Sequence, residues 1–142
     1  MKKLLIPLLL TLLAACQSSP SEADQKAALE EKVLYIHDEA MAKMGQVFRL
    51  RKKLSALRDT LETQQTDTAT ARLLQRELAG LSAADAAMMD WMHQYNAPDT
   101  MQHAAAMAYL EQELKKIEKV NTTMDSTIAA AQKTQKQHEP NQ

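Results

Sequence analysis

Two glycines and four prolines in 142 residues are too few turn formers for the many reversals of a β-sandwich or barrel. A single cysteine excludes an internal disulfide and any zinc or iron–sulfur centre built on several thiolates. Aromatic residues make up 4% of the chain, too few for a stacking platform on single-stranded nucleic acid. Neither charge prevails: 17 Lys and Arg stand against 18 Asp and Glu, so no global basic field draws the chain to a polyanion. There is no Gly-rich phosphate loop, no H-E-x-x-H and no C-x-x-C. Neighbouring carboxylates such as Glu30 and Glu31, or Asp38 and Glu39, point differently around a helix and do not face each other across a cleft. The expectation is a protein that is not an enzyme, has no catalytic residues and does not bind nucleic acid.

What is present begins at the amino terminus. Lys2 and Lys3 precede an apolar stretch from Leu4 to Ala15, interrupted by Pro7 and Thr11. It is shorter than the roughly 20 apolar residues that span a bilayer and has the layout of a secretory signal. It ends Leu13-Ala14-Ala15-Cys16, which resembles the lipobox of bacterial lipoproteins. That resemblance implies a lipoprotein signal peptide over 1–15, diacylglycerol on the Cys16 thiol, cleavage before Cys16 and acylation of the new amine with palmitate-like chains. Two or three acyl chains anchor stably where one does not. The alternative is a plain secretory signal followed by a free thiol. Cleavage removes Lys2 and Lys3, leaving 15 basic against 18 acidic side chains, a net charge near −3. Residues 16–21, the lipidated Cys16 with Gln17-Ser18-Ser19-Pro20-Ser21, read as a tether reaching under about 20 Å. Gln17 stands where an Asp would retain an enterobacterial lipoprotein on the inner membrane. The resemblance therefore implies the outer membrane, with the protein facing the periplasm.

Beyond the tether the apolar residues fall into seams of alternating four- and three-residue spacing. The first is Leu29, Val33, Ile36, Ala40, Val47, Leu50, Leu54, Leu57 and Leu61, with an empty slot at Lys43 beside Met44. Ser21 with Asp24 three residues on is a capping signal. A polar stretch from Thr63 to Asp67 breaks the seam. The second is Leu74, Leu78, Leu81, Asp85, Met88, Met92 and Tyr95, and its phase continues across Gly80. Asn96-Ala97-Pro98-Asp99 is the clearest turn, with Asp99 as a cap. The third seam is His103, Met107, Leu110, Leu114, Ile117, Asn121, Met124, Ile128 and Ala131. The prediction is all-α: an antiparallel three-helix bundle, coiled-coil-like and up-down-up, over 22–136. Its helices are expected at about 22–62, 67–95 and 99–134, with a disordered tail at 137–142. Asn121 and Asp85 are polar residues on seams, Asp85 expected to touch solvent.

Methionine and histidine gather on these helices. His37 with Met41, Met89 with His93, and His103 with Met107 are each four apart, one turn, and so share a face. In the predicted register Met41 faces Met89, Met88 faces Met107, and Met92 faces His103. Thioether with imidazole suits Cu(I), which makes these six residues a candidate copper site. The competing readings are ordinary core filling by Met and a Met-lined groove for a partner helix or lipid formed by Met44, Met88, Trp91 and Met92. Trp91 is expected to be a core filler. Arg49, Arg51, Lys52, Lys53 and Arg58 make the middle of the first helix basic, read as a solvated face paired with acids such as Glu77.

The segments His37-Asp38-Glu39-Ala40-Met41-Ala42-Lys43-Met44-Gly45, Ala87-Met88-Met89-Asp90-Trp91-Met92 and Met107-Ala108-Tyr109-Leu110-Glu111 resemble a family of small Bacteroidota lipoproteins often labelled "viral A-type inclusion protein". The resemblance implies lineage and an envelope location, and no activity. The chain departs from the family pattern at Ala42, where Pro is frequent, and at His93, where a basic residue is frequent. The first implies a kink or helix start near Met41; the second weakens the copper reading. The function expected is a lipid-anchored cell-envelope protein acting as a structural or interaction module. Its partners are then the membrane, through its acyl chains, and an envelope protein or further copies of itself. The alternative is a periplasmic Cu(I)-binding protein.

Overall fold

The computed structural model describes residues 19–63 and 68–138. The predicted signal at 1–15, Cys16 and most of the predicted tether, the connection at 64–67 and the chain beyond 138 lie outside the described residues. Three helices pack on one another with no strand among those residues: α1 Glu22–Thr63, α2 Thr68–Gln94 and α3 His103–His138. The chain is an all-α three-helix bundle.

Local chemistry sets the ends. The Asp24 amide donates to Ser21 Oγ at 3.1 Å, and the Asp24 carboxylate accepts from the Ser21 amide at 3.1 Å and its hydroxyl at 2.6 Å. This reciprocal cap starts α1. Those two hydrogen bonds hold the Asp24 carboxyl below its ordinary pKa. From there α1 runs unbroken through Ala42 and Gly45, so the kink implied near Met41 is not found. Likewise α2 continues through Gly80. The start of α3 differs from expectation. Pro98 to Met101 closes a turn, with the Met101 amide donating to the Pro98 carbonyl at 3.3 Å, and the first α3 bond runs from Ala106 to Gln102. Asp99 thus lies within the turn, and the helix begins at His103, not near 99. At the other end α3 continues to His138, so Gln137 and His138 belong to the helix, not to a tail.

The seams supply the core. Val33, Ala40, Val47, Leu50 and Leu54 of α1 meet Leu74, Leu81 and Met88 of α2 and Leu110, Ile117, Met124, Ile128 and Ala131 of α3. Buried Ala84 and Ala106 leave room for close approach of the helices. The seams drift in places, so Thr70, Ala84, Ala106, Glu113 and Thr134 are buried while Leu78, Leu114 and Asn121 are only half so.

Polar cross-links fix the register. In the slot left open by the first seam, Lys43 donates to Asn121 at 2.8 Å and pairs with Asp125. Arg51 pairs with Asp85 at 3.2 Å. Tyr95 donates to Glu30 at 3.2 Å and packs on Tyr109 at a ring separation of 6.2 Å. A side chain on Gly80 would meet Thr127 at 3.2 Å. Together these pairs place α3 about ten residues further along α2 than predicted. The cause is the connection from Tyr95 to Gln102, which stays non-helical and lies along α1. Its Pro98 is buried, and the Pro98 carbonyl accepts from Lys26 at 3.5 Å. The expected facings of Met88 with Met107 and of Met92 with His103 are therefore incorrect.

Candidate functional site

Four rings form a ladder through the bundle. His37 of α1 lies on Trp91 with centroids 5.5 Å apart, Trp91 on Tyr95 at 4.9 Å, and Tyr95 on Tyr109 at 6.2 Å. The ladder also closes the end of α2, because the Asn96 amide donates to the Tyr109 hydroxyl at 2.9 Å. Burial, and then the Glu30 carboxylate, push the Tyr95 hydroxyl well above its ordinary pKa of 10.0, so it remains a donor to Glu30. Trp91 is 6% exposed, and its indole Nε1 is buried with no hydrogen-bond partner in the protein.

These contacts decide one set of candidates. Met88 and Trp91 are buried, and Met44 and Met92 are half-buried against the same core. All four pack into the core, and Trp91 also borders an open depression of about 520 Å³ between α2 and α3, with Ala83, Ala87 and Val120. Trp91 fills the core as expected.

The copper set divides. Tyr95 touches both Glu30 and Tyr109, and Lys43 reaches Asn121 and Asp125. These pairs set Met107 level with about residue 28 of α1, some 13 residues from the level of Met41. At 1.5 Å per residue that is about 20 Å. His103 and Met107 thus sit at the far end of the bundle, and the six residues do not form one centre. His37, Met41, Met89 and His93 share a level. Of these, His37 is half-buried with its Nδ1 2.9 Å from Asp38, while Met41, Met89 and His93 are exposed. No group of three or more His, Cys, Asp or Glu converges among the described residues.

The basic stretch is partly internal to the fold. Arg51 pairs with Asp85 on α2, and Arg58 with Asp59 at 2.8 Å and Glu62 at 3.5 Å. The hydrogen bond and charge of Asp59 raise the Arg58 pKa.

The surface feature that stands out is the outer face of α1. Leu34, Met41 and Phe48 are exposed at seven-residue intervals, one position on from the buried Val33, Ala40 and Val47. A seven-residue repeat keeps to one side of a helix, so the three form a row. At 100° per residue each member of the row stands 40° round the helix from Glu30, His37 or Met44, and since Glu30 and His37 meet Tyr95 and Trp91 of α2 the row runs along the solvent-exposed flank of α1 that borders α2. Tyr35, Ala42 and Gly45 flank it and are exposed too. Phe48, the only Phe of the chain, is 67% exposed, and Tyr35 is 61% exposed. The chain has five Phe, Tyr and Trp residues; three are in the ladder, and the other two are both on this face. Single exposed apolar residues are ordinary; here they form an ordered row with both remaining aromatics on it. Beside it, Ala27, Glu30, Glu31, Leu34, Tyr35 and Asp38 bound a shallow depression of about 460 Å³.

The sequence reading passed over Leu34, Tyr35 and Phe48. The signal was the run Val33-Leu34-Tyr35-Ile36 with the pair Val47-Phe48: consecutive apolar residues cannot all face one core. No described helix is long and apolar enough to cross a membrane. No protein family, curated protein or solved structure matches the chain.

Proposed function

We propose that this chain is a lipid-anchored bacterial envelope protein that works by binding another macromolecule through the outer face of α1, without a reaction of its own. The observation that carries the reading is the row Leu34, Met41 and Phe48, which leaves apolar surface in water on a helix whose opposite side is already packed. A monomer gains nothing from an ordered apolar row facing solvent, whereas a partner buries it at about 25 cal/mol per Å² of apolar area. The anchoring is supported by Leu13-Ala14-Ala15-Cys16 and by the resemblance to small Bacteroidota lipoproteins. Gln17 in place of Asp favours the outer membrane, with the bundle in the periplasm close to the bilayer. The copper alternative retains two of its three His–Met pairs, and Met41, one of the remaining four residues, belongs to the apolar row.

Two measurements test the reading. Intact mass of the protein extracted from its own envelope is expected to carry a diacylglyceryl and an N-acyl increment on Cys16, with Cys16→Ser released from the membrane fraction. An unmodified Cys16 overturns the anchoring. A photoreactive residue at position 48 of the anchored protein is expected to give discrete adducts. Absence of adducts above background overturns the interaction reading.

A further inference from the structure

We infer that the outer face of α1 is covered by a second copy of this chain, paired antiparallel about a two-fold axis at Met41. The inference rests on the interaction reading above and names its partner. Leu34, Met41 and Phe48 repeat with the period of a helix–helix seam. Two-fold pairing centred on Met41 lays Met41 against its own counterpart and Phe48 against Leu34 of the other copy. The ring of Phe48 then falls at the depression bounded by Ala27, Glu31, Leu34, Tyr35 and Asp38. Exposed Ala42 keeps bulk away from the crossing point.

Charge sets the direction of pairing. On this face the exposed acids, Glu31 and Asp38, precede Met41, and the exposed base Lys52 follows it. A parallel pair sets Glu31 beside Glu31 and Lys52 beside Lys52. The antiparallel pair sets Glu31 beside Lys52 twice. Glu31 and Lys52 make no ion pair among the described residues, so these charges remain available to the second copy. Contact along one helix is smaller than the roughly 1,600 Å² of a standard interface, and confinement of both copies to one membrane raises their effective concentration.

Disulfide trapping in membranes of cells making the full chain tests this. Met41→Cys alone, Phe48→Cys alone, and differently tagged Leu34→Cys and Phe48→Cys chains made together are oxidised beside the parent, whose single cysteine gives the background. Antiparallel pairing gives a Met41→Cys dimer and a mixed Leu34→Cys/Phe48→Cys dimer, each about fivefold or more above the parent and above Phe48→Cys alone. Lys52→Glu lowers the Met41→Cys yield about threefold, and adding Glu31→Lys restores it. All five positions are exposed, and unchanged far-UV dichroism of each variant verifies the fold. A predominant Phe48→Cys dimer, or no dimer above the parent at any position, overturns the proposal. If a photoreactive residue at 48 captures a different protein while no self-dimer forms, self-pairing falls and the interaction reading stands. If it captures nothing, both fall.

Discussion

Tyr95 joins all three helices through one side chain: it follows the last residue of α2 and lies on Trp91 there, donates to Glu30 of α1 and packs on Tyr109 of α3. Because burial and Glu30 hold its proton above the ordinary pKa of 10.0, the folded chain keeps that proton where the unfolded chain releases it. The contribution of Tyr95 is complete below pH 10 and is lost as pH rises from there toward the folded-state value. The urea midpoint is therefore expected to fall above pH 10, with a shallower decline for Tyr95→Phe. Glu113 poses the opposite problem. Its carboxylate is 3% exposed and is held at 2.7 Å by Lys116, which sits largely in water. That hydrogen bond, with the charge behind it, raises the Lys116 pKa. A buried carboxylate loses more hydration than one pair restores, while removal of its partner leaves it uncompensated. Thermal melts are expected to rank Glu113→Leu at or above the parent and Lys116→Met below it.

Among the helices, Gly80 gives the sharpest case. It lies inside α2 with no turn to make, and an added Cβ would meet Thr127 Cγ2 of α3 at 3.2 Å. Glycine in a helix interior costs about 1 kcal/mol relative to Ala. Gly80→Ala alone is expected to change the urea midpoint little, because the gain in propensity is offset by the displaced methyl. Gly80→Ala with Thr127→Ser, which removes that methyl, is expected to stabilise by about 1 kcal/mol. The three helices, their antiparallel order and most of their core were readable in the spacing of apolar residues, because a 3.6-residue repeat and a core are nearly the same information. Lys43 was readable as a gap and Asn121 as a polar seam residue; the hydrogen bond between them was not, since periodicity within a helix says nothing about which level of another helix it meets. The same limit explains the copper site. Each His–Met pair was read correctly as one face of one helix, but their convergence depended on where α3 starts. A turn closed by the Met101 amide moved that start by four residues. The outer row of α1 was hidden for a different reason. Leu34, Met41 and Phe48 run beside Val33, Ala40 and Val47, and a search for one seam absorbs its neighbour.

Taken together, the bundle is a slender rod: α1 has 42 residues, about 63 Å at 1.5 Å per residue. Its buried core runs along α1 from Val33 to Leu54 without division, so the rod is expected to unfold as one unit. Trp91, the only tryptophan, reports on all three helices through its ladder. Its fluorescence and the far-UV helical signal are expected to be lost in a single coincident transition. Met124→Ala, at a site with no exposure, is expected to lower the unfolding free energy by about 2–5 kcal/mol without splitting that transition. The length of α1 has a geometric consequence for a moored pair. In two rods crossed head to tail at Met41, the first turns of α1 at Glu22 stand about 57 Å apart at 1.5 Å per residue, at opposite tips of the assembly. Given the lipid anchor and the pairing proposed above, fatty chains at both tips would hold the pair prone on the bilayer, its symmetry axis upright, so that both subunits turn an identical flank to the lipid and an identical flank to the aqueous space.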